Sequence, residues 1–507
     1  MNKTRHIDVL LDRVSGWFGS PRLFWWPFGV FLFAALWMAC SGAYSMAYDE
    51  YYHFGIIKLY AHQWSPFFAQ QPPGAAAFGA VTRDPSYLYH YLISFPFRVF
   101  AHFVHTFMAQ IIFLRVIDVA FFAGGLLIFR ALLKRTGLSR RVSNLALGFC
   151  MLLPVTPFVA AQINYDDSLF LLSALSIWLA IVVSRALRKR REVRSVALLW
   201  LVAVVLLTSL VKYAYLPILA ALFIYFVVLG VRTFGWRLRN WWEAIRAGFA
   251  GTKRWHVVLA VLFAIIGAGL FAERYGINLV HYHSPTPKCD QVMSVQECNS
   301  FAPFARNYSY HQDNESAELP AAQIMQYPFK NWIGGMVRSL LFVVANKQSG
   351  YQPGEPLPLT YAAGYIVFVG GLLLVLVSIR WLWRRSYTNQ LLLVVSVIYT
   401  VTLFVQNFAD FVHTQVPVAI QGRYLVPILP LFLVLVVQAA GRLLHAVHPR
   451  AAIIVIIILA VLLFEGGSLF PFLIRQHDNW LWNAPAVRDM NHGLRDAVKP
   501  FIVQRLI

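Results

Sequence analysis

The sequence predicts an all-α polytopic membrane protein, a bundle of about eleven transmembrane helices with interfacial helices in its first outer loop. Three observations carry that expectation. Hydrophobic residues make up 59% of the 507 positions and charged residues only 13%, whereas a soluble chain is about a quarter charged. Apolar runs recur at lengths of roughly 17 to 25 residues, enough for a helix to cross a ~30 Å hydrocarbon core. Basic residues collect in alternate loops between those runs, the pattern that retains Lys and Arg on the cytoplasmic side.

The runs fall at 24–46, 109–133, 143–162, 168–184, 195–211, 213–231, 256–272, 359–379, 389–406, 424–440 and 451–472. The inside loops are then Lys134 to Arg141, Arg185 to Arg194, Arg232 to Arg254, Arg380 to Arg385 and Arg442 to Arg450. Ser86 to Phe107 is also apolar, but a crossing there would move Lys134–Arg141 to the outside. Its interspersed Tyr87, Tyr89, His90, Tyr91, Arg98, His102 and His105 instead suit a helix at the headgroup level, and 50–62 reads the same way. This places the N-terminus inside and a short C-terminal tail outside.

The chain divides into a transmembrane catalytic module at 1–272 with a first outer loop at 47–108, a long extracytoplasmic loop at 273–358, C-terminal transmembrane helices at 359–472 and an extracytoplasmic tail at 473–507. The first apolar run is followed by no small-residue cleavage site before the acidic pair, so it is expected to stay as a spanning helix. The expected location is the plasma (inner) membrane. The net charge of +21 lies mainly in loops flanking apolar runs, with no separate basic domain to track a phosphate backbone, so no nucleic-acid partner is expected.

Of the four cysteines, Cys40 and Cys150 fall inside spans, while Cys289 and Cys298 share the longest outside loop. That side is oxidising in most cell envelopes, and a disulfide between them is expected. A metal site there, with His281 and His283 nearby, would need more ligands at matching spacing.

The chemistry-bearing residues gather on the outer face. Asp49-Glu50 leaves the first span and leads into His53, which follows Glu50 by three residues on a helix; the same acids would serve as the N-cap of an interfacial helix. Asp166-Asp167 sits between two spans, where two neighbouring carboxylates repel and lose solvation, costs that a cation, a proton or a bound hydroxyl offsets. These too could cap the helix that follows. Lys212 interrupts the apolar hairpin Leu206 to Leu216, on the outside, against the positive-inside trend. Arg423 stands in Gln421-Gly422-Arg423-Tyr424-Leu425 at the outer end of another span. Both suit a phosphate at the headgroup level, Arg as a bidentate fork and Lys as a point charge, and both suit snorkelling to lipid.

Asp49-Glu50 after the first span, two interfacial helices, Asp166-Asp167 before the fourth span, Lys212 in the next outer hairpin and Gln421 to Leu425 followed by Val426-Pro427 together resemble the GT-C superfamily of membrane glycosyltransferases. The similarity is to the branch of protein O-mannosyltransferases and the lipid A aminoarabinose transferase, with related bacterial membrane proteins carrying an Asp-Glu-x-x-His signature. It implies inverting transfer of a sugar from a polyprenyl-phosphate donor to an acceptor at the extracytoplasmic face. The acceptor is a protein, a lipid or a wall polymer. Under the resemblance Asp49, with Glu50 beside it, is the base or acceptor-positioning group, and Asp166 and Asp167 form the second acidic motif. Lys212 and Arg423 bind the donor phosphate, while His53, Gln421 and Tyr424 contact substrate. Asp49, Asp166, Asp167 and His53 could hold a divalent cation; the expectation is that no metal is used.

The alternative from another class is a lipid or solute transporter or flippase of the envelope. Transporters place ionisable residues near mid-span, whereas these acids cluster at one face. Asp118, the acid deepest in a span, is expected to pair with Arg115, and Asp410 to lie in the short outer turn before Gln421 and join the site. Trp332 to Ala345 is expected to form a further helix on the membrane surface, and Asp290, Glu297, Asp313, Glu315 and Glu318 to be solvated charges.

Overall fold

A computed structural model describes residues 20–46, 49–190, 193–315, 318–343, 358–444, 472–473 and 478–506. Every regular element among them is helical, and the one pairing of extended chain is an isolated bridge between Gly42 and Leu481. The N-terminal half runs through α1 (Arg22–Ser41), α2 (Glu50–Ala61), α3 (Leu88–Phe103), α4 (Phe107–Arg135), α5 (Arg140–Leu152), α6 (Val155–Ala160), α7 (Tyr165–Arg190), α8 (Ser195–Val211), α9 (Leu216–Phe234), α10 (Leu238–Ala247) and α11 (Arg254–Phe271). After the short helices between 272 and 342 come α12 (Pro358–Arg385), α13 (Tyr387–Thr414), α14 (Leu429–Leu444) and α15 (Pro485–Leu506).

Eight described helices are long and apolar enough to cross a membrane: Arg22–Ser41, Phe107–Arg135, Tyr165–Arg188, Tyr213–Phe234, Arg254–Tyr282, Leu359–Arg385, Tyr387–Thr414 and Gly422–Leu443. The chain is a multi-pass membrane protein. The 195–211 run forms the 17-residue apolar helix α8, and the run at 451–472 lies outside the described residues apart from Phe472. The run at 143–162 is two pieces, α5 and α6, separated at Leu153-Pro154. Pro154 lacks the N–H that would continue the ladder, and hydropathy alone is blind to that break.

Helix α7 lies at the centre, packed on α4 and α8, with α11 against α8 and α9 against α13. The α4–α7 contact depends on Gly125, where a Cβ would come within 2.5 Å of the Phe170 ring; Phe170 stacks instead on Phe122 with centroids 4.1 Å apart. Helices α2 and α3, between the first two long apolar helices, pack on each other and are not themselves among the long apolar helices.

Two further expectations change. Gly334–Phe342 is helical, but Met336, Val337, Leu340, Leu341 and Phe342 are buried, so this helix packs into the protein instead of lying on a membrane surface. Asp410 is inside α13, which continues to Thr414, and its charged neighbours are Lys288, His413 and Arg306. It does not join the acidic cluster. Asp290, Glu297, Asp313, Glu315 and Glu318 are exposed, and Cys289 and Cys298 are joined as a disulfide.

Candidate functional site: a chain of ion pairs where a central helix begins

The centre is built where α7 begins. The Asn164 side-chain oxygen accepts the Asp166 N–H at 2.9 Å, the bond of an N-cap. Asn164 therefore caps α7, and Asp166 and Asp167 occupy its first turn, where the exposed N–H groups of the helix end favour negative charge. Lys212, at the extended C-cap of α8, sends Nζ to within 2.6 Å of Asp166 Oδ1. Arg423 enters from a 3₁₀ turn, Gly422–Ile428, that precedes α14. Its Nη1 lies 3.9 Å from Asp166 Oδ2 and its Nη2 2.5 Å from Asp49 Oδ2.

Asp49, Arg423, Asp166 and Lys212 thus form one continuous line of alternating charge. Arg423, Asp166 and Lys212 are buried, whereas 47% of the Asp49 side chain is exposed. Asp49 precedes α2 with φ 72°, a left-handed conformation that short polar residues tolerate better than branched ones. Its side chain does not cap α2, and this leaves the carboxylate to Arg423. Aromatic rings line the chain: Lys212 Nζ is 4.4 Å from the Tyr165 ring centroid and 5.0 Å from that of Tyr424. The Tyr424 carbonyl accepts from the Tyr399 hydroxyl at 2.6 Å.

Beside the ion pairs, the His53 ring meets Tyr165 edge-on with centroids 4.3 Å apart. His53 Nδ1 is 2.9 Å from His90 Nε2, and His90 Nδ1 is 3.1 Å from the Ser86 carbonyl. A carbonyl only accepts, so His90 carries its proton on Nδ1 and accepts from His53 Nδ1–H. His53 Nε2 is then a bare lone pair, buried and without a hydrogen-bond partner. Burial holds His53 well below the usual imidazole range, aided by His90, Arg423 and Lys212, and burial pushes His90 down to about 3.

Glu50 is turned away from this centre. Arg115 grips it with Nε to Oε1 at 2.7 Å and Nη2 to Oε2 at 2.8 Å. The N–H groups of Ile163 and Met46 fill one further position on each oxygen. Arg115 donates its remaining N–H groups to the carbonyls of Ala39, Gly42 and Ala43, so the pair is buried and closed. The expected Arg115–Asp118 pair is therefore corrected. The two share a helix face at i,i+3, but the guanidinium has a better bidentate partner. Asp118 Oδ2 accepts from the Tyr89 hydroxyl at 2.7 Å and from the Asn164 N–H.

Asp167 is buried, and neither of its oxygens accepts a hydrogen bond from another residue. The Gln421 side-chain oxygen is likewise buried without a partner. Of the sequence candidates, Asp49, Asp166, Lys212, Arg423, Tyr424 and His53 converge. Tyr165, His90 and Arg115 were not among the candidates. A charge inside an apolar run was the available signal for Arg115, and a histidine among tyrosines was the signal for His90.

No protein-family model and no curated protein sequence matches the chain. Among solved structures it is similar to the archaeal oligosaccharyltransferase AglB from Archaeoglobus fulgidus, solved in complex with an inhibitory peptide and a dolichol-phosphate, at 15% identity and a TM-score of 0.41. The match covers 94% of this chain and 60% of that one, so the chain spans about three fifths of the length of that protein.

Proposed function

We propose that the protein is a GT-C-like membrane glycosyltransferase that moves a sugar from a polyprenyl-phosphate donor to an acceptor at the extracytoplasmic face, with inversion. The observation that carries this reading is the position of Arg423 between an exposed carboxylate, Asp49, and a buried one, Asp166, which Lys212 also holds. Two cations fixed side by side at a helix end suit a lipid phosphate, and the half-exposed carboxylate beside them suits a group that takes a proton.

In this mechanism the donor phosphate docks on Arg423 and Lys212 and displaces Asp49 from Arg423. The freed Asp49 takes the proton of the acceptor as its heteroatom forms a bond to the anomeric carbon. The bond from that carbon to the phosphate oxygen breaks, its electron pair leaves with the phosphate, and the two cations stabilise the departing charge. Asp166 keeps Lys212 and Arg423 in place. Glu50, with every acceptor position filled, is assigned to holding the first outer loop rather than to the reaction. His53 and Tyr424 contact substrate, and Asp167 and Gln421 hold buried acceptor atoms that sugar hydroxyls would satisfy.

A divalent cation does not fit the donor set well. Asp49 and Asp166 already face a guanidinium and an ammonium where the ion would sit, and the reaction is assigned to residues alone. The test is transfer of labelled sugar from a panel of polyprenyl-phosphate sugars by the purified protein in lipid, with crude membrane extract as acceptor source. Transfer that Asp49→Asn and Asp166→Asn abolish in folded protein supports the reading. No transfer from any donor, together with protein-dependent lipid or solute movement across the bilayer, supports a carrier instead.

A further inference from the structure

Helix α10 bridges the ends of α9 and α11 that lie away from the ion pairs. Helix α9 starts four residues after Lys212 and runs 19 residues, about 28 Å, so α10 belongs to the opposite membrane face. Its placement is fixed from the inside. The Trp241 ring occupies the space over Gly230, where a Cβ would come within 2.1 Å of it, and Trp241 Nε1 donates to the Gly235 carbonyl at 2.9 Å. Ser195 Oγ, at the start of α8, donates to the Ile245 carbonyl at 2.5 Å.

The other side of α10 has no partner among the described residues: Leu238 is 83% exposed and Trp242 67%, with Trp236 before the helix at 84%. At 3.6 residues per turn, Leu238 and Trp242 fall between the packed edge, Trp241 and Ile245, and a basic edge, Arg239 and Arg246. Between positions 232 and 254 there are six exposed basic residues, Arg232, Arg237, Arg239, Arg246, Lys253 and Arg254, and one acid, Glu243, which pairs with Arg239. A helix packed on protein along one edge, apolar on the next and cationic beyond it has the cross-section of an element lying in the headgroup layer.

We propose that this face binds anionic phospholipid: Leu238, Trp242 and Trp236 enter the acyl boundary while Arg239, Arg246 and Arg237 hold lipid phosphates. Sorting of positive charge to the inside accounts for the cations alone. It does not account for three large apolar side chains left exposed beside them on a helix keyed in place by Gly230.

The test uses the full-length protein in nanodiscs of phosphatidylcholine, alone or mixed with phosphatidylglycerol. Trp242→Cys in a Cys40→Ser background carries a spin label, and bound lipid is counted by mass spectrometry. The expected result is a label more accessible to oxygen than to an aqueous nickel chelate. Phosphatidylglycerol is enriched around the wild type, and Arg237→Gln/Arg239→Gln/Arg246→Gln reduces that enrichment by up to roughly fivefold per cation removed. Because those arginines are exposed, the triple variant keeps its fold, which its unfolding temperature verifies. A label open to the nickel chelate in both lipids overturns the proposal and leaves the face to an acidic soluble partner or nucleic acid. A label shielded from both reagents overturns it in favour of another segment of the chain. Lipid contact with no loss of phosphatidylglycerol in the triple variant overturns the anionic selectivity.

Discussion

Lys212 Nζ reaches Asp166 Oδ1 at 2.6 Å across 46 residues of sequence, with both side chains buried. Removing one member of such a pair leaves the other charged and desolvated, at a cost of about 3–5 kcal/mol, while removing both is far milder. Lys212→Met should therefore lower the unfolding temperature sharply, and Asp166→Asn/Lys212→Met should recover most of the loss. A double-mutant cycle by thermal unfolding in detergent measures this; single variants as stable as wild type would show that the pair is not formed.

Asp49 behaves differently because its side chain is half in water. Asp49→Asn is expected to destabilise less than Lys212→Met, since half of the Asp49 side chain lies in water and the buried Arg423 keeps Asp166 at 3.9 Å. Transfer should fall by about 10²- to 10⁴-fold, the usual range for loss of a general base. With its competitor gone, Arg423 should bind donor phosphate slightly more tightly, by about two- to fivefold. Titration with a non-transferable polyprenyl phosphate reads that term separately, and weaker binding would contradict displacement of Asp49 by phosphate.

The Arg115–Glu50 unit predicts a stability phenotype of a different kind. Arg115→Lys keeps the charge but replaces a five-donor planar fork with three donors on a flexible stem. It should lose most of the about 3–5 kcal/mol that full removal costs, and Glu50→Gln should fail to accumulate as folded protein. Yield and unfolding temperature in detergent test this, and a fully stable Arg115→Lys would refute the five-bond arrangement.

The histidine pair sets a pH dependence. His90 titrates near 3 in the folded protein and near 6.5 when unfolded, so between those values the unfolded chain binds more protons. This contribution to stability is full above about pH 6.5 and falls as the pH drops toward 3. His53, lowered in the same direction, adds to the slope. Unfolding temperatures of the wild type and His90→Gln from about pH 4.5, roughly two units below the ordinary histidine value, upward should diverge in slope, the variant being flatter; parallel curves would mean that the rings are not held neutral by burial.

Much of this architecture could be read from the chain because the membrane imposes a one-dimensional constraint. Length and apolarity locate the eight long helices, and an acid or base at the edge of an apolar run marks a helix end where charges collect. That sufficed to single out Asp49, Asp166, Lys212 and Arg423. Partner choice was another matter. Arg115 has an acid at i,i+3, and only the fold reveals that Glu50, 65 residues away, offers two oxygens in plane. The His53–His90 contact likewise spans 37 residues and rests on how α2 packs against α3. The break in the 143–162 run was visible in Pro154 but hidden by uniform apolarity.

The closed exchange between Arg115 and Glu50 also limits how this lineage can change. Neither side chain has a spare valence to share with a newcomer, and either substitution alone strands a charge in the dark interior of the bundle. Descendants of this chain should therefore keep both residues or exchange both, and sequences lacking one should lack the other. The positions that drift freely will be those that only touch lipid, so relatives can diverge almost beyond recognition while positions 50 and 115 still vary together.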